Sequence, residues 1–343
     1  MSGDAAPHVV EDFFGIIRLF SDGSVVRGDE TVLMPAQPFP DVPGVQWKDA
    51  VYDAARGHKV RMFRPPPSSS VAAAASEGEG NNNKLPVLVH FHGGGYCIGS
   101  YDQLGGAHHF NQRLAADLPA LVLSVQYRLA PEHRLPAAIE DGAAFLAWLR
   151  EQAALAGGGG AGAAAEPWLA ESADFSRTFL SGISAGANLA HHLAVLVGSG
   201  KLAVGPVRLA GSLLFSVWFG GVELTPAELD PPADVSLPVE MSDMFWRMAL
   251  PAGATRDHPL ANPFGPDSPD LAAVALPPAF VEAPESDVLR DRVLRYAAAL
   301  KAMGKAVELA EFKGQKHGFS VLGWGEANEE LIRNVQRFVR QMK

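Results

Sequence analysis

The stretch Arg177-Thr178-Phe179-Leu180-Ser181-Gly182-Ile183-Ser184-Ala185-Gly186-Ala187-Asn188-Leu189 decides the fold. Arg177 to Ser181 is a short strand-like run, and an Ala- and Leu-rich helical stretch follows from Ala185 to Val197. Between them Gly182 to Gly186 has the form G-x-S-x-G. The small neighbours allow a crowded turn that holds the serine hydroxyl out at the end of a sheet, where it can act as a nucleophile. A glycine-bounded turn that merely starts a helix is the plainer alternative.

Outward from this turn, short apolar runs alternate with helical stretches. The runs are Val87 to Phe91, Leu121 to Val125, Leu209 to Phe215, Ala279 to Ala283 and Val307 to Phe312. The helical stretches are Gln112 to Ala116, Ala137 to Gln152, Asp287 to Met303 and Asn328 to Met342. That rhythm predicts a mostly parallel sheet covered by helices on both faces. Before it, Gly15 to Phe20, Val45 to Val51 and Lys59 to Phe63 suggest an antiparallel entry to the sheet. Residues 65–84 and 156–166 are low in complexity and poor in large apolar side chains, and are expected to be flexible loops. In 216–263 the alternation fails, with prolines beside Trp218, Phe219, Phe245 and Trp246, as expected of a cap over a site. The whole chain is expected to form one domain.

Two further groups complete a chemical reading. His92-Gly93-Gly94-Gly95-Tyr96 follows a strand, and its bare backbone brings amide N–H groups close to a bound carbonyl. The expected use is an oxyanion hole from the N–H groups of Gly94, Gly95 and Ala185. A phosphate loop competes, but no Gly-Lys-Ser or Gly-Lys-Thr follows. His317, in Gly314-Gln315-Lys316-His317-Gly318-Phe319, is the histidine that lies after the last strand run, in a loop bounded by glycines. Asp287 begins a helical stretch just after a strand run, so the order Ser184, Asp287, His317 suits a nucleophile, an orienting acid and a base. Asp287 is alternatively a helix cap, with Asp291 or Glu285 as the acid. A base that must be neutral predicts activity falling as pH drops through about 6.5.

Other features exclude more than they suggest. With 38 acidic and 28 basic side chains the net charge is -10, which disfavours nucleic acid and anionic lipid surfaces. No metal is expected: His90 and His92 lack completing ligands, and the pairs His108-His109 and His191-His192 cannot each face one ion from adjacent helical positions. They read as helix-surface or packing residues, and the single cysteine, Cys97, as a buried inert thiol. No apolar run reaches the roughly 18 residues of a membrane span. A cytosolic, or cytosolic and nuclear, location is expected.

Together, His92 to Gly95, Tyr127-Arg128-Leu129-Ala130-Pro131-Glu132-His133, Gly182 to Gly186, Asp287 to Asp291 and His317 resemble the hormone-sensitive lipase group of α/β-hydrolases. The opening Pro7 to Arg27 and His92 to Ser100 are most similar to plant carboxylesterases within that group. The resemblance implies the α/β-hydrolase fold, with a cap from residues 1–44 and the insertion after Phe215. It also implies hydrolysis of small acyl esters without a cofactor, through an acyl-enzyme on a Ser-His-Asp triad. Phe14, Tyr96, Trp218, Phe219, Phe245 and Trp246 are the expected pocket residues. Ile183 stands where this group often has an acidic residue, which leaves a supporting hydrogen bond near the turn in question. Gibberellin receptors share the scaffold but lack the catalytic histidine, and 2-hydroxyisoflavanone dehydratases use the same pocket for elimination. A hormone receptor and such a lyase are therefore the alternatives to an esterase.

Overall fold

The computed structural model describes residues 6–33, 39–66, 84–158 and 164–342. Residues 67–83, the bulk of the first expected flexible loop, and 159–163 in the second lie outside them, as do 1–5 and 34–38 of the expected cap.

Strands β1 (Val9–Phe13), β2 (Ile17–Phe20) and β3 (Val25–Arg27) form a small antiparallel sheet of their own. The Gly15 to Phe20 run thus enters this separate sheet and not the main one. It curls at Phe14 and Gly15, both at positive φ, and the resulting hairpin turns back on itself. The main sheet has the order β11-β10-β9-β8-β6-β7-β5-β4. Its members are β4 (Gln46–Asp53), β5 (His58–Arg64), β6 (Leu85–Phe91), β7 (Leu121–Val125), β8 (Ala173–Ile183), β9 (Leu209–Phe215), β10 (Ala279–Ser286) and β11 (Val307–Lys316). Only β4 and β5 run antiparallel, as the expected entry; β6 to β11 are parallel.

The parallel strands are apolar on both sides because both sides are covered. Val87, Val89 and Phe91 of β6 face one core, while Leu88 between them faces the other. Helices α1 (Gly106–Asp117) and α6 (Glu326–Gln341) cover the Leu88 face through Phe110, Leu114, Leu331 and Val335. Helices α2 (Ala137–Ala156), α3 (Ala185–Gly198) and α5 (Arg290–Ala302) cover the other through Leu149, Leu189 and Val293. Helix α4 (Val239–Ala249) lies in the insertion after β9, and its Phe245 meets Phe13 of β1 with ring centroids 4.8 Å apart. Elements run longer than their apolar cores suggest: β8 begins at Ala173, four residues before Arg177, and α1 begins at Gly106.

Among the described residues no helix is long and apolar enough to cross a membrane. None of their His, Cys, Asp and Glu side chains forms a group of three or more able to hold a metal ion.

Candidate active site

Ser184 caps the C-terminal end of β8 at φ 55° and ψ -118°, a conformation costly for any residue with a side chain, by about 1–3 kcal/mol. The turn exists because its neighbours are bare. A Cβ on Gly186 would lie 2.1 Å from the Phe91 carbonyl oxygen, and one on Gly182 would lie 2.2 Å from the Gly186 carbonyl carbon. The Ser184 carbonyl accepts from the N–H groups of Ala187, Asn188 and Trp218, which leaves Ala185 at the open first turn of α3.

His317 Nε2 stands 2.8 Å from Ser184 Oγ, and its Nδ1 stands 2.7 Å from Asp287 Oδ2. A carboxylate only accepts, so Nδ1 carries the proton and Nε2 faces the serine as an acceptor. Asp287 is 1% exposed, and its Oδ1 accepts from Leu289 N. It therefore fixes the turn before α5 with one oxygen and the imidazole with the other. The rival carboxylates are engaged elsewhere: Glu285 accepts from Gly314 N, and Asp291 accepts from Ala227 N. The segment before His317 is the end of β11, not a free loop, since that strand continues to Lys316.

Gly94 and Gly95 lie at positive φ beside Ser184. The Gly93 carbonyl meets the His92 ring at 2.7 Å, and the Gly94 carbonyl accepts from Cys97 and Ile98. Because a trans peptide sets N–H opposite C=O, the Gly94 and Gly95 N–H groups point away from those partners. Tyr127 holds this loop from beneath: its hydroxyl donates to the His92 carbonyl at 2.8 Å and its ring stacks on His92 at 4.2 Å. Burial pushes His92 down to about 4 and His90 down to about 3, so both are neutral.

The sequence profile of the α/β-hydrolase fold family matches residues 88–321. This chain belongs to that family. The hydrolase is 35% identical to 3-O-acetylpapaveroxine carboxylesterase CXE2 of Papaver somniferum, over 91% of this chain and 96% of that one. It is 32% identical to 2-hydroxyisoflavanone dehydratase of Glycyrrhiza echinata, over 94% of each chain. The crystal structure of esterase LipW from Mycobacterium marinum superposes with a TM-score of 0.69 at 28% identity, covering 87% of this chain and 82% of that one. The hydrolase is thus an enzyme of the plant carboxylesterase type, a serine hydrolase by family.

A cavity of about 330 Å³ opens above Ser184 and His317. Of the expected pocket residues, Trp218 and Phe245 line it, and the other four do not. Phe14 is 77% exposed, because it stands past the end of β1 in the turn at positive φ, while Phe13, the last strand residue, lines the cavity. Tyr96 points beneath the glycine loop and donates to Asn188 Oδ1 at 2.7 Å. Phe219 packs on Tyr296 and His191, and Trp246 stacks behind Trp218 at 3.5 Å and 6°.

The remaining histidine pairs are packing residues: His109 Nδ1 faces the Pro40 carbonyl, and His191 Nδ1 faces Tyr296 Oη. Cys97 is buried, which raises its thiol well above the usual range. Ile183 belongs to the apolar cluster with Phe110 and Phe215 and also borders the cavity, so its side chain supplies no hydrogen bond near the turn.

Three supports of the site went unread in the sequence. Arg27 donates to the carbonyls of Cys97 and Ala130 and grips Glu132 with two nitrogens, pinning the small sheet to the glycine loop. Arg292 reaches from α5 to Glu228 and to the carbonyls of Gly220, Gly221 and Glu223, fixing the chain after Trp218. Glu282, wholly buried on β10, accepts from the N–H and hydroxyl of Ser216, and that hydroxyl accepts from Gly318 N, next to His317. Burial, with a smaller push from Asp287, raises Glu282 to about 8 against the lowering effect of the Ser216 bonds.

Proposed function

We propose that this enzyme hydrolyses small carboxylic esters through an acyl-enzyme on Ser184. The observation that carries the reading is the aligned relay of Ser184 Oγ, His317 and Asp287, with spacings of 2.8 and 2.7 Å, beside the glycine loop. Ser184 Oγ attacks the ester carbonyl as His317 Nε2 takes its proton. The oxygen that becomes negative meets the N–H groups of Gly94, Gly95 and Ala185, each donor worth about 2.7–4 kcal/mol in the transition state. His317 returns the proton to the leaving alcohol, and Asp287 stabilises the imidazolium between the two transfers. Water then releases the acid by the same steps in reverse.

In this reading the described part of residues 1–44 caps the cavity together with 216–263, the substrate is a neutral small-molecule ester, and no cofactor takes part. The single buried cysteine suits a reducing compartment, the cytosol or nucleus. The 32% identity to a dehydratase supports a second reading, in which His317 abstracts a proton and Ser184 forms no covalent bond. A receptor that only binds has no use for an aligned base, and the presence of His317 at Ser184 argues against it.

Turnover of p-nitrophenyl esters from acetate to octanoate by the wild type, Ser184→Ala and His317→Ala tests the proposal. Rapid hydrolysis lost in both variants supports it. Elimination of water from a β-hydroxy ketone that survives Ser184→Ala would favour the lyase.

A further inference from the structure

One face of the main sheet changes character along its length. Val122, Leu88 and Phe179 sit side by side on β7, β6 and β8 and face α1. Two residues further toward the cavity, the same face of the same strands carries Ser124, His90 and Ser181, again side by side in register. Every one of these polar residues is nearly inaccessible. A purely structural core has no reason to turn from apolar to polar on one face at the end where a cavity begins.

Their hydrogen bonds are partly spent. His90 Nδ1 meets Ser181 Oγ at 2.9 Å, and Ser124 Oγ donates to the Tyr101 carbonyl at 2.8 Å. His90 keeps Nε2, and Ser124 keeps its lone pairs. On α1, which covers this face, Asn111 also lines the cavity, is 3% exposed, and has its side-chain carbonyl oxygen buried with no hydrogen-bond partner among the described residues. An unsatisfied buried acceptor is rare and calls for an explanation.

We propose that this inner end of the cavity is a polar subsite for a hydroxyl group carried by the ester, with Asn111 Oδ1 accepting its proton. The inference rests on the esterase reading and deepens it by naming a substrate class, the hydroxylated esters. Uncharged chemistry is selected because no Lys or Arg among the described residues lines the cavity to receive a carboxylate. The one carboxylate among the described lining residues, Glu30, is already held by Arg27 and Gly99 N, while His90 stays neutral and Asn111 cannot ionise, so no free anion receives an ammonium group. A hydroxyl both donates and accepts, which suits a cavity end lined by an amide oxygen, an imidazole and a serine hydroxyl.

The test compares two pairs of esters in the wild type, Asn111→Leu and Asn111→Ala. One pair, p-nitrophenyl 3-hydroxybutanoate and p-nitrophenyl butanoate, places the hydroxyl on the acyl side; the other, 2-hydroxyethyl butanoate and propyl butanoate, places it on the alcohol side. The wild type is expected to favour the hydroxylated member of one pair by about tenfold or more in kcat/KM, and both variants to lose that preference while still turning over its partner. Which pair responds tells which half of the ester occupies the subsite. Equal kcat/KM within both pairs in the wild type, or a preference that both variants retain, overturns the proposal. Binding of the same esters to Ser184→Ala, followed by Trp218 fluorescence, gives the same comparison without turnover. Preferential binding there that is lost in Ser184→Ala/Asn111→Leu upholds the subsite even if the hydrolytic reading fails.

Discussion

The wall of the cavity that carries Ser184 is made of backbone, whereas the wall facing it is made of rings. On the first, Ser184, Gly94 and Gly95 hold positive φ, and neighbouring atoms leave no space for a larger residue at Gly182 or Gly186. On the second, Phe13 rests on Phe245, and Trp218 lies flat against Trp246. Backbone set by turns and sheet register leaves little freedom, so that wall fixes the chemistry. Stacked rings can be exchanged for others of similar volume, so the facing wall can alter which esters fit without altering the reaction. The hydrogen-bonded links between the walls, Arg27 to the Cys97 carbonyl and Arg292 to the Gly221 carbonyl, keep the two in register.

If this division holds, damage on the backbone side should be far larger and independent of substrate. Ser184→Ala is expected to lower kcat by about a million-fold for every ester while leaving Tm within a degree or so of the wild type, read by steady-state assay and thermal unfolding. Asp287→Asn should cost about 10⁴-fold, because an amide NH₂ facing Nδ1 favours the wrong imidazole tautomer. The same assay series checks it: equal losses for acetate and octanoate are expected, and a loss confined to one acyl length would break the comparison.

On the ring side, Trp246→Ala removes the stacking partner of Trp218 and should lower stability by about 3–5 kcal/mol in urea unfolding. Hydrolysis of the acetate ester should fall less than tenfold, while the ratio of octanoate to acetate turnover changes more than that. Loss of both activities alike would show that the rings also hold the catalytic wall.

The parts of this arrangement that were legible in the sequence are those where backbone geometry demands particular residue types. Gly182 and Gly186 around Ser184 are required by contacts of 2.1–2.2 Å, and such requirements leave a motif. Chain order likewise singled out His317 and Asp287, and the apolar runs marked the parallel strands. The sequence does not show that β1 ends at Phe13 and that the chain turns at Phe14, so Phe13 lines the cavity where Phe14 is the expected residue. Tyr96 and Trp246 lie one layer behind the cavity, at a depth set by tertiary packing that no local pattern records. Arg292 and Glu228 are 64 residues apart, and Glu282 reaches Ser216 across 66, so nothing near either residue signals the partner.

The smallest expected effect concerns Glu282, whose Oε1 has no partner among the described residues. Its folded-state value of about 8 lies above the roughly 4.3 of an unfolded chain, so the folded protein retains a proton that the unfolded chain has already lost. The corresponding stabilisation is complete below about pH 4.3 and is lost as pH rises toward 8. Glu282→Gln cannot ionise, so its Tm should match the wild type near pH 4 and exceed it by several degrees at pH 9. A constant difference across that range would mean that Glu282 is ionised in the fold at every pH.

The central claim is that Ser184 becomes covalently acylated, and intact-protein mass spectrometry after incubation with an alkyl fluorophosphonate addresses it most directly. One adduct is expected, mapped by peptide sequencing to the peptide containing Ser184, absent in Ser184→Ala and formed far more slowly in His317→Ala. An enzyme that hydrolyses esters yet gains no adduct, or gains one at another residue, would contradict it.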